Sequence, residues 1–375
     1  MGVKSVVNSP VLEETPQEIS ERVERDEEMD QELRRILESR KAEIKVVGVG
    51  GGGGNTISRL MQVGIVGAET IAVNTDAQDL LYTDSDKKIL IGKEITGGLG
   101  AGADPSIGAE AAKESKDDIK KALEGADMVF VDCGLGGGTG TGASPVVAEI
   151  AKKLGALTVG IVTLPFAMEG RARSKNAQEG LENLEQIVDT LIVIPNDKLL
   201  EIVPDVSILT AFKVADEILV NAVKGITELI TKPGLVNLDF ADVRAVMRSG
   251  GLAMIGMGES DSENRAVESV EKSLSNPLLD VDIEGATGAL INVSGGEEVT
   301  IRECQEIVQA VNNKISPDAK IIWGAQIDKS LGDTVRTMLI VTGVKSPQVF
   351  GSGPEKMFTE KKQREIEKVL GIDFV

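Results

Sequence analysis

The chain contains no histidine, and that absence removes the Ser-His-Asp and Cys-His nucleophile systems and the common zinc sites from consideration. Chemistry must then rest on carboxylates, hydroxyls, backbone amides or a hard metal ion. Cysteine is almost as scarce. Cys133 and Cys304 lie far apart with no Cys-x-x-Cys spacing, and no signal peptide precedes them, so the expected setting is cytoplasmic. Aromatic residues make up 2% of the chain, so its cores must be built from Val, Ile, Leu, Ala and Met. Positive charge is in deficit: 40 Lys and Arg face 60 Asp and Glu, a net −20. Such a balance excludes a nucleic-acid partner, whose affinity depends on Lys and Arg displacing counterions. No apolar run approaches the roughly 20 residues of a membrane span, which excludes direct membrane insertion.

What is abundant is glycine, 42 of 375 residues, in a chain that is 41% hydrophobic with mean hydropathy near zero. A chain of this length exceeds the usual limit of one core, about 250 to 300 residues, and two domains are expected. Residues 1–43 carry 12 acidic and 7 basic residues and little apolar periodicity, and read as a charged N-terminal extension with a marginal helix. From Ile44 onward, short β-branched runs alternate with helical patterns: 44–49, 70–76, 87–92, 128–134, 157–166 and 190–197 read as strands. Continuous apolar strands of this kind argue an α/β fold with a parallel sheet covered on both faces. A long helical pattern over 206–232 ends at Lys-Pro-Gly and reads as a central helix. After it, 233–351 describes a smaller α/β unit, and 352–375 a charged tail ending "IEKVLGIDFV".

Three glycine loops stand between strand and helix. The first, "GVGGGGGN" over 48–55, satisfies Gly-x-Gly-x-x-Gly at Gly48, Gly50 and Gly53, with Asp76 at the end of the next strand, as a dinucleotide site requires. The second, "GGGTGTG" over 136–142, opens the helix expected from Pro145, and the third, "TGGLGAGADP", spans 96–105. Loops at the carboxyl ends of parallel strands face one another across a crevice, and exposed amides at two helix N-termini suit several negative charges. Thr139 and Thr141 add hydroxyls. A polyphosphate fits this better than a dinucleotide, and without Gly-Lys-Ser/Thr the neutralisation must come from amides, hydroxyls and Mg²⁺. A Rossmann oxidoreductase remains the alternative on the spacing alone. Asp239 and Asp242 have the spacing of a capping box at the start of a helix.

Taken together, "GVGGGGGN", "NTDAQDL" (74–80), "GLGAGADP" (98–105), "GGGTGTG", "PFAMEGRAR" (165–173), "IPNDKLL" (194–200) and "NLDFADV" (237–243) closely resemble the tubulin/FtsZ family of GTPases, in order and spacing over roughly 44–350. The resemblance implies a parallel-sheet GTPase domain over 44–205, the central helix, and a C-terminal domain that begins with a catalytic loop. It assigns phosphate contacts to Gly51, Gly52, Gly53, Gly54 and Asn55 and to Gly138, Thr139 and Gly140. Ribose and nucleotide contacts fall on Glu169 and Arg173, and base recognition on Asp216 with Asn196 nearby. Asp239, Asp242 and Asn237 become the catalytic group, acting on the nucleotide of a neighbouring copy. GTP/GDP and Mg²⁺ are the implied cofactors, and a homopolymer of head-to-tail protofilaments the implied partner, in a cytoplasmic division ring at mid-cell. A membrane-tethering adaptor would bind the C-terminal tail. A paralogue of the same family that controls cell shape is the competing implication.

Overall fold

In the computed structural model, described residues are 42–202, 208–231 and 239–344, except 249, 277, 279–282 and 284, together with Met29. The readings made for most of the N-terminal extension, for Asn237 and for the C-terminal tail lie outside them. The described residues from 42 to 344 belong to one compact unit.

The first half alternates strand and helix. Strand β1 (Ile44–Val49) leads into α1 (Gly50–Val63), β2 (Ala68–Asn74) into α2 (Ala77–Tyr82), and β3 (Lys87–Leu90) into the short α3 (Lys93–Thr96). Helices α4 (Pro105–Glu114) and α5 (Lys116–Leu123) then return to β4 (Met128–Gly134). The sequence reads 108–125 as one helical pattern. It breaks at Ser115, whose hydroxyl accepts a hydrogen bond from the Gly92 amide at 3.1 Å. Helix α6 (Thr139–Lys153), β5 (Leu157–Leu164), α7 (Arg171–Glu185), β6 (Thr190–Pro195) and α8 (Asn196–Ile202) complete this half. Helix α6 begins six residues before the expected Pro145, because Gly142 N–H already bonds Gly138 O (3.0 Å) and Ser144 Oγ bonds Gly140 O (2.6 Å). Half of the second glycine loop is therefore helix.

The 24-residue α9 (Ile208–Thr231) follows, then α10 (Phe240–Met247), β7 (Gly251–Ser260), α11 (Arg265–Leu274), β8 (Gly288–Gly295), α12 (Ile301–Asn312), β9 (Lys320–Ile327) and β10 (Val335–Thr342). The sequence reading passed over α11, which has a strongly one-sided apolar pattern. One ten-stranded sheet runs in the order β3-β2-β1-β4-β5-β6-β7-β10-β8-β9. It is parallel from β3 to β7, antiparallel on both sides of β10, and parallel again between β8 and β9. The link between the halves is narrow: β6 and β7 pair at only Thr190, Leu191 and Ile192.

Alternation along β4 divides the apolar interior. Val129, Val131 and Cys133 face the α6 side, while Met128 and Phe130 face the side of α1 and α9, where Ile57 and Leu60 meet Leu219, Val223 and Ile226. Each such fully buried aliphatic side chain contributes about 1.5 to 3 kcal/mol, and their placement fixes the rotation of α1 and α9 beside the strand ends.

Helices α4 and α6 cross so closely that only hydrogen fits between them. A Cβ on Gly142 would lie 1.8 Å from Pro105 O, and one on Gly108 would lie 2.3 Å from Gly138 O. Both obstacles are backbone and cannot rotate away. Gly142→Ala is expected to destabilise by about 3 kcal/mol or more, read as a fall in urea midpoint. Gly137→Ala, whose Cβ meets nothing within 4 Å, should leave the midpoint near wild type; equal midpoints for the two variants would refute the packing account.

Candidate functional site

At the carboxyl ends of β1, β4, β5 and β6 a cleft of about 350 Å³ opens between the glycine loops and α9. Gly51, Gly52 and Asn55 line it from α1, and Gly138, Thr139 and Gly140 from the start of α6. Glu169 and Arg173 form one wall, and Asn196 and Asp216 stand at the other end. A shallower recess of about 600 Å³ continues past Gly51, Gly102 and Thr139 to Asn74, Asp76 and Asp79. Gly53 and Gly54, also assigned to phosphate, are buried one layer below. The first packs on Asp132 O and the second on the Thr83 hydroxyl.

The electrostatics favour a polyanion at the loop end. Neither α1 nor α6 has an acidic residue in its first turn or a side-chain cap, so the first-turn amides of both helices remain available. Thr139 Oγ sits 2.7 Å from Thr75 Oγ, which fixes its orientation at the head of α6. Thr141 does not serve as expected: it is buried, and its hydroxyl accepts from Gly136 N–H at 2.8 Å. Arg173 is the one cation among the cleft-lining residues, paired with Glu169, whose other oxygen accepts from Phe166 N–H at 2.8 Å. This pair is more than the surface helix contact that its spacing suggests, because Glu169 belongs to a separate short turn preceding α7.

The part of the lining formed by Asp216 and Asn196 is acidic and partly buried. Burial raises the Asp216 carboxyl to about 6, with Arg59 opposing the shift and Glu217 adding to it. Buried Asn196 leaves its Oδ1 without a hydrogen-bond partner. An acceptor pair of this kind suits a ligand edge that offers N–H groups.

Asp239 and Asp242 are elsewhere. Both are exposed at the start of α10, where Asp239 occupies the N-cap position with no side-chain cap bond, so the capping-box expectation fails. Two residues on, Arg244 stacks over Phe240 and donates to Asp127 O at 3.4 Å. Asp127 immediately precedes β4, so this helix lies toward the amino end of the strand whose carboxyl end opens the cleft. Asp76, the acidic residue of the dinucleotide alternative, is committed to capping α2 through Gln78 and Asp79 N–H.

Residues 43–204 match the model of the tubulin/FtsZ family GTPase domain, and 251–345 that of the FtsZ family C-terminal domain. The chain belongs to the tubulin/FtsZ family. It is 62% identical to cell division protein FtsZ 1 of Thermococcus kodakarensis over 94% of both chains, and 56% identical to that of Archaeoglobus fulgidus over the full length of both. An empty FtsZ dimer structure from Methanocaldococcus jannaschii superimposes with a TM-score of 0.81 at 63% identity, covering 84% of this chain and 92% of that one. CetZ2 from Haloferax volcanii, 22% identical, shares the fold with a TM-score of 0.72. The chain is therefore a GTPase of this family, with GTP and GDP as its ligands, and the oxidoreductase alternative falls.

Thr163 and Gly134 of the cleft, and Asp132 beneath it, were not singled out by sequence reading; nothing in their local patterns separates them from strand interior. Asp132 is fully buried on the face of β4 turned toward α1 and α9, with neither carboxylate oxygen hydrogen-bonded in good geometry. Burial holds its carboxyl well above the usual range; the nearby Thr56 hydroxyl opposes this weakly and Asp216 adds to it. Above about pH 4 the unfolded chain ionises this group while the folded chain keeps the proton, so folding stability drains as pH rises toward the folded value. The stability of Asp132→Asn relative to wild type should therefore increase between pH 4 and 7, by up to about 1.4 kcal/mol per pH unit. A pH-independent difference in denaturant midpoints would show that the group is ionised in the fold.

Proposed function

We propose that this GTPase assembles head to tail into protofilaments, hydrolyses GTP at the junctions between copies, and forms a cytoplasmic cell-division ring at mid-cell. The observation that carries the reading is the separation of the cleft from the two acidic residues of α10. Seven residues of β4 lie between the Asp127 carbonyl that holds Arg244 and the Gly134 end that opens on the cleft. At about 3.3 Å per residue that is roughly 20 Å, beyond the reach of any side chain. Carboxylates so placed serve a nucleotide only if it belongs to the next copy. A contact between opposite ends of one molecule is heterologous and open, and it generates filaments.

In this reading the amides of Gly51, Gly52, Gly138 and Gly140, with the Thr139 hydroxyl and Asn55, hold the phosphates. Glu169 and Arg173 fix the ribose end. Asp216 and Asn196 accept hydrogen bonds from guanine N1–H and the 2-amino group, which adenine cannot provide in that arrangement. Asp242 and Asp239, together with Asn237 as the family resemblance assigns it, orient the water that attacks the γ-phosphorus as the bond to the β-phosphate oxygen breaks, giving GDP and phosphate. Two carboxylates left free of helix capping suit that task.

Mg²⁺ supplies charge neutralisation when bound. Asp79 fits it, because its Oδ2, held by the Asn74 amide at 2.7 Å, faces Gly51 in the recess beside the phosphate loop. Hard cations of this size take one or two carboxylates together with phosphate oxygens and water. With net charge −20, subunits repel until such ions screen them. The C-terminal tail, "IEKVLGIDFV", is an amphipathic segment suited to a membrane-tethering adaptor.

Phosphate release from GTP, followed across a dilution series beside right-angle light scattering, tests the reading. Turnover per molecule should rise above a threshold concentration together with scattering. Asp242→Ala, at an exposed position, should lose roughly 100-fold or more in turnover while binding GTP and assembling as wild type. Turnover independent of concentration and without scattering would confine hydrolysis to one chain and end the filament proposal.

A further inference from the structure

Besides their apolar packing, the helix that carries the phosphate loop and the helix that carries the base reader are joined by an ion pair. Arg59, five residues beyond the glycine run in α1, donates from Nε to Glu217 Oε1 at 3.1 Å, and its Nη2 reaches the same oxygen. Its Nη1 donates to Gln62 Oε1 at 3.4 Å. Glu217 is the neighbour of Asp216 in α9. Both partners are 43% exposed, so the pair adds at most a small amount to folding stability. Its position gives it a different consequence.

Resting on the assignment of Asp216 to the guanine base, we infer that Arg59 is a positioning residue for base recognition: it draws Glu217 aside and holds the Asp216 carboxyl in the ionised form that accepts both guanine N–H groups. A protonated carboxyl presents one donor and loses half of that acceptor pair. The charges around Asp216 leave little margin. Glu217 on the same helix and burial both favour the proton, Asp132 of β4 lies beneath and is itself held neutral by burial, and Arg59 of α1 is the cation that opposes them. The Glu169–Arg173 pair across the cleft is already matched within itself. With Asp216 titrating near 6, removal of Arg59 brings its protonation into the neutral range and turns base affinity into a function of pH. The same arginine ties base recognition to the phosphate helix, so both ends of the nucleotide are read by elements held in fixed relation.

Calorimetric titration with GDP, which avoids assembly, at pH values from 5.5 to 8.5 tests this. Wild-type affinity should be level above about pH 7 and fall below about pH 6. Arg59→Gln should bind roughly 3- to 10-fold more weakly than wild type at pH 6.5 and recover to within about 2-fold at pH 8.5. Glu217→Gln should move the same profile in the opposite direction, toward acid, and Arg59→Lys should keep most of the wild-type profile. In GTP turnover at pH 6.5, Arg59→Gln should raise KM with kcat unchanged, since the base lies far from the γ-phosphate. A uniform loss across the pH range, or profiles for Arg59→Gln and Glu217→Gln that coincide with wild type, would overturn the role of Arg59. Asp216→Asn separates the underlying assignment: it should bind GDP weakly at every pH, and wild-type affinity in that variant would remove Asp216 from the base site altogether.

Discussion

Backbone pressed against backbone at the carboxyl edge of the sheet is the constraint from which the rest of the site follows. Gly48 and Gly53 leave no room for a Cβ between the first strand and its helix, with Gly53 also against Asp132 O on the neighbouring strand. Gly108 and Gly142 do the same between α4 and α6. A methyl group at any of these points would strike backbone that cannot rotate away and push two elements apart, disturbing the facing of the two helix N-termini across the cleft. Most glycines of these loops therefore meet protein: Gly138 and Gly140 line the cleft although a Cβ on either would strike backbone, at 2.7 Å from Gly102 O and 2.6 Å from Gly134 O, while Gly51 and Gly52 lie exposed on the same wall.

An acidic protein that binds a triphosphate must create its positive field without net positive charge. Here the field comes from amides at the starts of α1 and α6, both free of acidic first turns and of side-chain caps. It is local and directional, so it survives a chain charge of −20. The opposite end of the cleft uses the reverse device, a carboxylate and an orphaned amide oxygen in a partly dry site. The groove is thus polarised, with backbone donors at one part and side-chain acceptors at another, and the proposed nucleotide would lie along it with its anionic end on the donors. Arg59 spans the two.

Assembly also rests on direction. A parallel sheet has distinct ends, with the cleft at the carboxyl end of β4 and α10 toward its amino end. In the proposed assembly, residues at both ends acquire a common purpose only when copies stack in register, which would make hydrolysis a property of the junction and link nucleotide state to the interface between copies.

Much of this was legible in the chain itself. The alternation of apolar strands and helical patterns gave the α/β order, and the spacing of three glycine loops located the phosphate end, because strand period, helix period and glycine clustering are local properties. Motif order identified the family. The start of α6 at Thr139 was missed because Pro145 resembles a helix beginning, while the deciding bonds, from Gly142 to Gly138 and from Ser144 to Gly140, form inside what reads as loop. Asp132, Thr163 and Arg59 were invisible for another reason: their significance lies in neighbours 50 to 160 positions away along the chain. Sequence alone determined the order of most elements, the glycine-borne loops and the absence of histidine chemistry. Only the tertiary structure decided which glycines press on backbone, which carboxyl groups hold a proton, and that Asp242 stands toward the amino end of β4, away from the cleft, because burial, field and distance arise between segments that the chain keeps apart.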